Sequence, residues 1–137
     1  PAVSIEPVQH HAAESPFKGK TGFRRVLNAF GYSMDGLRAA YGCEDAFRQE
    51  VRLAVVLLPV AVLLPLVGIA KALMIGSVLF VLVTELLNSA IEATVDRVSL
   101  EDHRLAKRAK DIGSAAVFIA LCNVVCVWFC VLAERYL

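Results

Sequence analysis

Apolar side chains are sparse up to Lys20, recur at helical spacing from Thr21 to Tyr41, and then run almost unbroken through three long stretches. The opening segment is polar and proline-bearing and shows no periodicity, which predicts a disordered tail over 1–20. From there Phe23, Val26, Leu27, Phe30, Met34, Leu37 and Tyr41 step by threes and fours. Arg24, Arg25, Asn28, Asp35 and Arg38 fall largely on the rest of the wheel. That pattern predicts an amphipathic helix over 22–42, suited to a bilayer surface with its arginines toward anionic head groups. Gly31, Gly36 and Gly42 are expected to break or bend it.

Three spans follow. The first, over 45–66, is uncharged from Leu53 to Ala70 and carries Pro59 and Pro65. Prolines are tolerated in membrane helices, and Pro65 together with Gly68 also suits a turn. The second, over 70–97, is interrupted by Glu85, Asn88 and Glu92. The third, over 107–134, is the cleanest. Each is long enough for a hydrocarbon core of roughly 30 Å. The pattern therefore predicts an all-α membrane protein: one N-terminal amphipathic surface helix plus three transmembrane helices.

Composition agrees. With 58% apolar residues in a chain of 137, lipid is the natural solvent, because so short a soluble domain could not hide that much apolar surface. A net charge of +1 implies no bulk attraction to nucleic acid. No signal-peptide core precedes the surface helix, so the N-terminus is expected in the cytoplasm. Lysines and arginines precede or open the first span (Lys18, Lys20, Arg24, Arg25, Arg38, Arg48, Arg52) and join the second to the third (Arg97, Arg104, Lys107, Arg108, Lys110). Only Lys71 and Arg135 lie at the other ends. The N-terminus and the 97–110 connection thus share the cytoplasmic side. Cys122, Cys126 and Cys130 repeat every four residues and share a helix face. They are read as small buried residues that let helices approach closely, and not as a disulfide framework or a zinc site.

The second span carries the chemistry. Glu85, Asn88, Glu92 and Asp96 are three, four and four residues apart and form one narrow stripe. An acid in hydrocarbon costs on the order of 3 kcal/mol, so these groups must face protein or a wet cavity. Asp96 and Arg97 mark the cytoplasmic surface, with Glu92 one turn below and Glu85 about 10 Å deeper still. Glu92 can meet a water-soluble ligand, and Glu85 reaches the level of a lipid head group. Glu44 and Glu50 at the first span, and Lys110 and Asp111 at the third, converge on the same side. Carboxylates beside lysine and arginine suit a magnesium-nucleotide, and a further carboxylate could take a hydroxyl proton. Residue types alone lead to a membrane site for a charged ligand. Gly19, Lys20 and Thr21 mimic the end of a phosphate-binding G-x-x-x-x-G-K-[ST] loop, but position 14 is Glu14 and no strand precedes it.

The run from Glu85 through Asn88 and Glu92 to Asp96-Arg97 resembles the signature of the small trimeric bacterial diacylglycerol kinases. Gly31-Tyr-Ser, Gly36-Leu-Arg38-Ala-Ala, Glu44-Asp-Ala-Phe-Arg48-Gln-Glu50 and the stretch from Ala106 to Val117 agree, so the likeness covers about Gly22 to Tyr136. It implies ATP- and Mg2+-dependent phosphorylation of diacylglycerol to phosphatidic acid at the inner face of the bacterial cytoplasmic membrane. It also implies a homotrimer with sites shared between subunits. By motif position Glu85 would be the general base, and Glu44 and Glu92 would hold magnesium. Arg25, Tyr32, Asn88, Asp96, Glu101, Asp102, His103, Lys110 and Asp111 would join Glu44 and Glu92 around the nucleotide. Arg38, Arg48, Glu50, Ser114 and Trp128 would join Glu85 near the lipid. Trp128, at the other end of the third span, also suits an interfacial anchor.

Two other functions compete. Relatives with the same core motif phosphorylate undecaprenol, although the Gly-Tyr-Ser and Phe-Arg-Gln-Glu stretches are closer to the diacylglycerol branch. A non-enzymatic channel or transporter subunit would need polar groups across the whole bilayer. Here Ala72 to Val83 offers only Ser77, and the third span offers Asn123.

Overall fold

The computed structural model describes residues 23–98 and 104–137, and every element in them is helical. Helix α1 spans Phe23–Cys43, α2 Asp45–Leu63, α3 Gly68–Val98 and α4 Arg104–Tyr136. The expected tail over 1–20, the Gly19-Lys20-Thr21 decoy and the Glu101–His103 segment lie outside the described residues. The chain falls into two units, 1–36 and 37–137, so α1 begins in the first and ends in the second.

In the first unit Val26, Leu27 and Phe30 are exposed. The helix runs through Gly31 and Gly36 without interruption and takes Gly42 into its last turn. The expected glycine break is therefore absent: each glycine costs only about 1 kcal/mol relative to alanine, which a 21-residue helix absorbs.

In the second unit α3 is the central helix, packed against α2 and more extensively against α4. Each helix buries one narrow seam. On α2 it is Phe47, Ala54 and Ala61, and on α4 Gly113, Ala120 and Val124. On α3 it is Met74, Ser77, Val78, Val81, Glu85 and Asn88. Small residues on α2 and α4 opposite larger ones on α3 permit close approach, as between helices in lipid. The cysteines are not part of this. Cys122, Cys126 and Cys130 are exposed, which corrects the expected burial. Two residues on from Ala120 and Val124, they sit about 200° around the helix from its seam.

The turn between α2 and α3 follows from Pro65. A residue before proline is pushed out of the helical region, and Leu64 has φ −60° and ψ 140°. Helix α2 therefore stops at Leu63, while Pro59 is carried inside it. The Lys71 ammonium donates to the Val62 carbonyl at 2.6 Å, satisfying an orphan group at the end of α2. Ser77, Thr84 and Thr94 donate their hydroxyls to carbonyls of their own helix, of Met74, Phe80 and Ala90.

Helices α3 and α4 are long and apolar enough to cross a membrane. Their outward surfaces are apolar too: Phe118, Ile119, Val125 and Phe129 on α4 are each about two-thirds exposed. Such a surface needs lipid or another protein against it.

Candidate active site

One end of the second unit holds an open cavity of about 620 Å³ between α2, α3 and α4. All three helices reach it by the same spacing. Ala46, Gln49 and Leu53 come from α2, Glu85, Asn88 and Glu92 from α3, and Ser114, Val117 and Leu121 from α4, each set at i, i+3, i+7. Glu50 and, from just before α2, Glu44 complete the lining. The lining mixes the aliphatic Ala46, Leu53, Val117 and Leu121 with carboxylates, amides and a hydroxyl.

The polar stripe of α3 continues its packing seam. Glu85 is 3% exposed and Asn88 8%. The Asn88 carboxamide donates from Nδ2 to Glu92 Oε1 at 3.2 Å, one turn on. Its own Oδ1 is buried without a hydrogen-bond partner, as is Oε2 of Glu50. Glu44 holds the N-cap position of α2 in extended conformation, yet makes no side-chain capping bond. Its carboxylate is therefore left to the cavity.

Nearby cations are engaged with other acids. Arg48 pairs with Asp45 and donates to the Tyr41 and Gly42 carbonyls at 2.9 and 3.0 Å, closing the end of α1. Lys107 pairs with Asp111 at 2.6 Å. Lys110 pairs with Asp96 at 2.5 Å, tying α4 to α3. A cavity lined by Glu44, Glu50, Glu85 and Glu92 suits a ligand that brings positive charge or a divalent cation. Among the described residues no three His, Cys, Asp or Glu side chains form a ready metal-binding group. Magnesium does not require one, since it commonly takes one or two carboxylates and completes its shell with phosphate oxygens and water. The donor set fits that use.

Of the residues singled out by sequence, the cavity gathers Glu44, Glu50, Glu85, Asn88, Glu92 and Ser114. Asp96, Lys110 and Asp111 are not part of its lining; the first two form the α3–α4 ion pair. Arg25 and Tyr32 are exposed on the part of α1 that belongs to the first unit. Arg38 is exposed farther along the same helix. Trp128 does not line the cavity. It packs against the cluster of Ala54, Val78, Val81, Ala120 and Val124, fourteen residues along α4 from Ser114, which is about 21 Å.

Sequence reasoning missed Ala46, Gln49, Leu53, Val117, Leu121 and, above all, Gly113. A Cβ on Gly113 would overlap Asn88 Oδ1 and come within 3.2 Å of Asn88 Cγ. The only sequence signal was its place three residues after Lys110, which no spacing rule singles out.

Residues 31–132 match the family described as prokaryotic diacylglycerol kinase. A diacylglycerol kinase of Pseudomonas aeruginosa is 59% identical over 118 residues, covering 86% of this chain and 96% of that one. Those of Haemophilus influenzae and Escherichia coli K12 are 51% and 50% identical, covering 79% and 82% of this chain and 92% and 91% of their own. The cavity, its carboxylates and these likenesses agree, and the chain belongs to the prokaryotic diacylglycerol kinase family.

Proposed function

We propose that this chain transfers the γ-phosphoryl group of ATP to the free hydroxyl of diacylglycerol, giving phosphatidic acid and ADP. The observation that carries the reading is one cavity lined both by Glu44, Glu50, Glu85, Asn88 and Glu92 and by Leu53, Val117 and Leu121. A lipid head with an apolar tail and a charged phosphoryl donor need both kinds of lining in one cavity.

Glu85, the most buried acid among the described residues, accepts the proton of the lipid hydroxyl as its oxygen attacks phosphorus and the bond to ADP breaks. Glu44 and Glu92 would hold magnesium, which when bound neutralises charge on the phosphates. Asn88 steadies Glu92 through its carboxamide. Lys110, fixed by Asp96, gives the nucleotide a cation at the α3–α4 edge. By motif position alone, Arg25, Tyr32, Asp96, Glu101, Asp102, His103 and Asp111 are further nucleotide contacts. Glu50, Ser114, Arg38, Arg48 and Trp128 serve the lipid side.

In this reading α2 crosses the membrane with α3 and α4, and the part of α1 that carries Val26, Leu27 and Phe30 lies on its surface. The bound membrane is the bacterial inner membrane, with the N-terminus and the acidic cavity on the cytoplasmic side, as the lysine and arginine distribution supports. The domain runs over 21–137. Its exposed apolar surfaces support assembly as a homotrimer in lipid.

The seam of α3 weighs against a channel. Between Ser77 and Glu85 its buried residues are Val78 and Val81, and the Ser77 hydroxyl is turned onto Met74 of its own helix at 2.8 Å. The test is transfer of labelled phosphate from ATP in bilayers, with and without magnesium, offering diacylglycerol and undecaprenol side by side. Labelled phosphatidic acid that disappears in Glu85→Gln is expected. Preference for undecaprenol would change the substrate, and no transfer from a well-folded oligomer would overturn the reading.

A further inference from the structure

The Asn88 carboxamide must choose which end faces Glu92. A carboxylate only accepts, so the NH2 end faces it, and the bond to Oε1 at 3.2 Å follows. The oxygen is then turned the other way, into a buried place where no hydrogen-bond donor meets it. What it meets is the backbone of α4 at Gly113, in the place a Cβ would fill. Any other residue there would push the carboxamide aside. The glycine hydrogen directed at Oδ1 offers instead a weak Cα–H···O contact.

We propose that Gly113 is a positioning residue for the metal-holding end of the site: it seats Asn88 so that the carboxamide aims its NH2 at Glu92. This rests on the reading of Glu92 as a magnesium ligand. The effect runs across two helices. Gly113 touches neither metal nor substrate, and Glu92 is reached only through Asn88. Gly113 itself is buried and flat on the α3-facing seam of α4, so the seat is part of the helix crossing. A shift of α4 by one position would put Ile112 or Ser114 against Oδ1 and remove it. The crossing therefore fixes the orientation of a side chain in the acidic cavity as well as the packing below it.

The test uses the full chain in bilayer nanodiscs and two readouts. The first is the Asn88 side-chain NH2 resonance, assigned by its disappearance in Asn88→Ser and read without substrate. In Gly113→Ala it is expected to move toward that of a free amide. The second is the magnesium concentration for half-maximal transfer, expected to rise about ten-fold, as when a residue behind a metal ligand is lost. In an Asn88→Ser background no carboxamide remains to displace, so Gly113→Ala should cost less than about two-fold more. An unmoved resonance in Gly113→Ala, or the same loss in both backgrounds, would overturn the proposal. Should Gly113→Ala alone not fold, refolding of the Asn88→Ser/Gly113→Ala pair would support it, and failure of the pair would overturn it. Because the resonance needs no substrate, a wild-type chain without magnesium-dependent transfer would defeat the functional reading and still leave the seat tested.

Discussion

The seam of α3 has two halves built on one spacing and made of opposite materials. Met74, Val78 and Val81 fill the first half, with Met74 completely buried. Glu85, Asn88 and Glu92 continue the same three-four rhythm; Glu85 is as buried as the valines and Asn88 nearly so. The apolar half meets Ala54, Ala120 and Val124 at contact distance, whereas the polar half opens onto a cavity. Burial alone therefore does not separate packing from chemistry in this helix. What separates them is whether the seam also borders a cavity, since α4 still closes on Asn88 at Gly113.

The largest test of that difference is Glu85→Gln. The substitution keeps the size and removes the base, so transfer should fall about a thousand-fold. Stability in detergent should hold or rise, because a buried acid that forms no salt bridge among the described residues does not favour the folded state. An equal loss of activity and stability would mean that Glu85 packs rather than reacts. The mirror experiment is Met74→Ala in the closed half. Removing a completely buried side chain should cost about 2–4 kcal/mol, read as a lower unfolding midpoint, with kcat of the surviving fraction near wild type. Activity lost at full stability would break the division.

Much of this difference was legible in the residues. The helical spacing and the apolar runs predicted four helices, and the Glu85-Asn88-Glu92 stripe named the cavity wall on α3. Other features were hidden for definite reasons. The glycines of α1 looked like breaks because propensity was weighed without helix length. The cysteines looked buried because an apolar run does not say which of its faces meets protein, and in lipid the outward face is as apolar as the inward one. Gly113 was invisible because its importance lies in a missing atom on one helix opposite an oxygen on another. Trp128 illustrates the converse: its place in an apolar run gave no sign that it packs against the closed half of the seam.

A smaller effect is expected at the rim of the open half. Lys110 is held by Asp96 at 2.5 Å and stands outside the cavity lining. Lys110→Met should raise the KM for ATP about ten-fold, the loss of one charge-assisted contact, while the KM for diacylglycerol stays unchanged. A change confined to the lipid KM would move Lys110 to the other side of the site. An unchanged ATP dependence would leave the ion pair as a link between α3 and α4 and nothing more.

The smallest effect, and the one that bears most directly on what polarity means here, belongs to Ser77. It is the polar residue within the closed half, 4% exposed, and its hydroxyl donates to the Met74 carbonyl three residues back. That carbonyl already belongs to the helix, so the side-chain bond adds little. Ser77→Ala should change stability by no more than about 0.6 kcal/mol, the usual size of a side-chain hydrogen bond inside a membrane protein, and should leave transfer within wild-type scatter. A buried polar group that satisfies itself locally is inert, whereas Asn88, whose two ends reach a carboxylate and another helix, is not. If Ser77→Ala instead abolished activity, the polar path would extend past Val78 and Val81, and the channel or transporter class would regain its case.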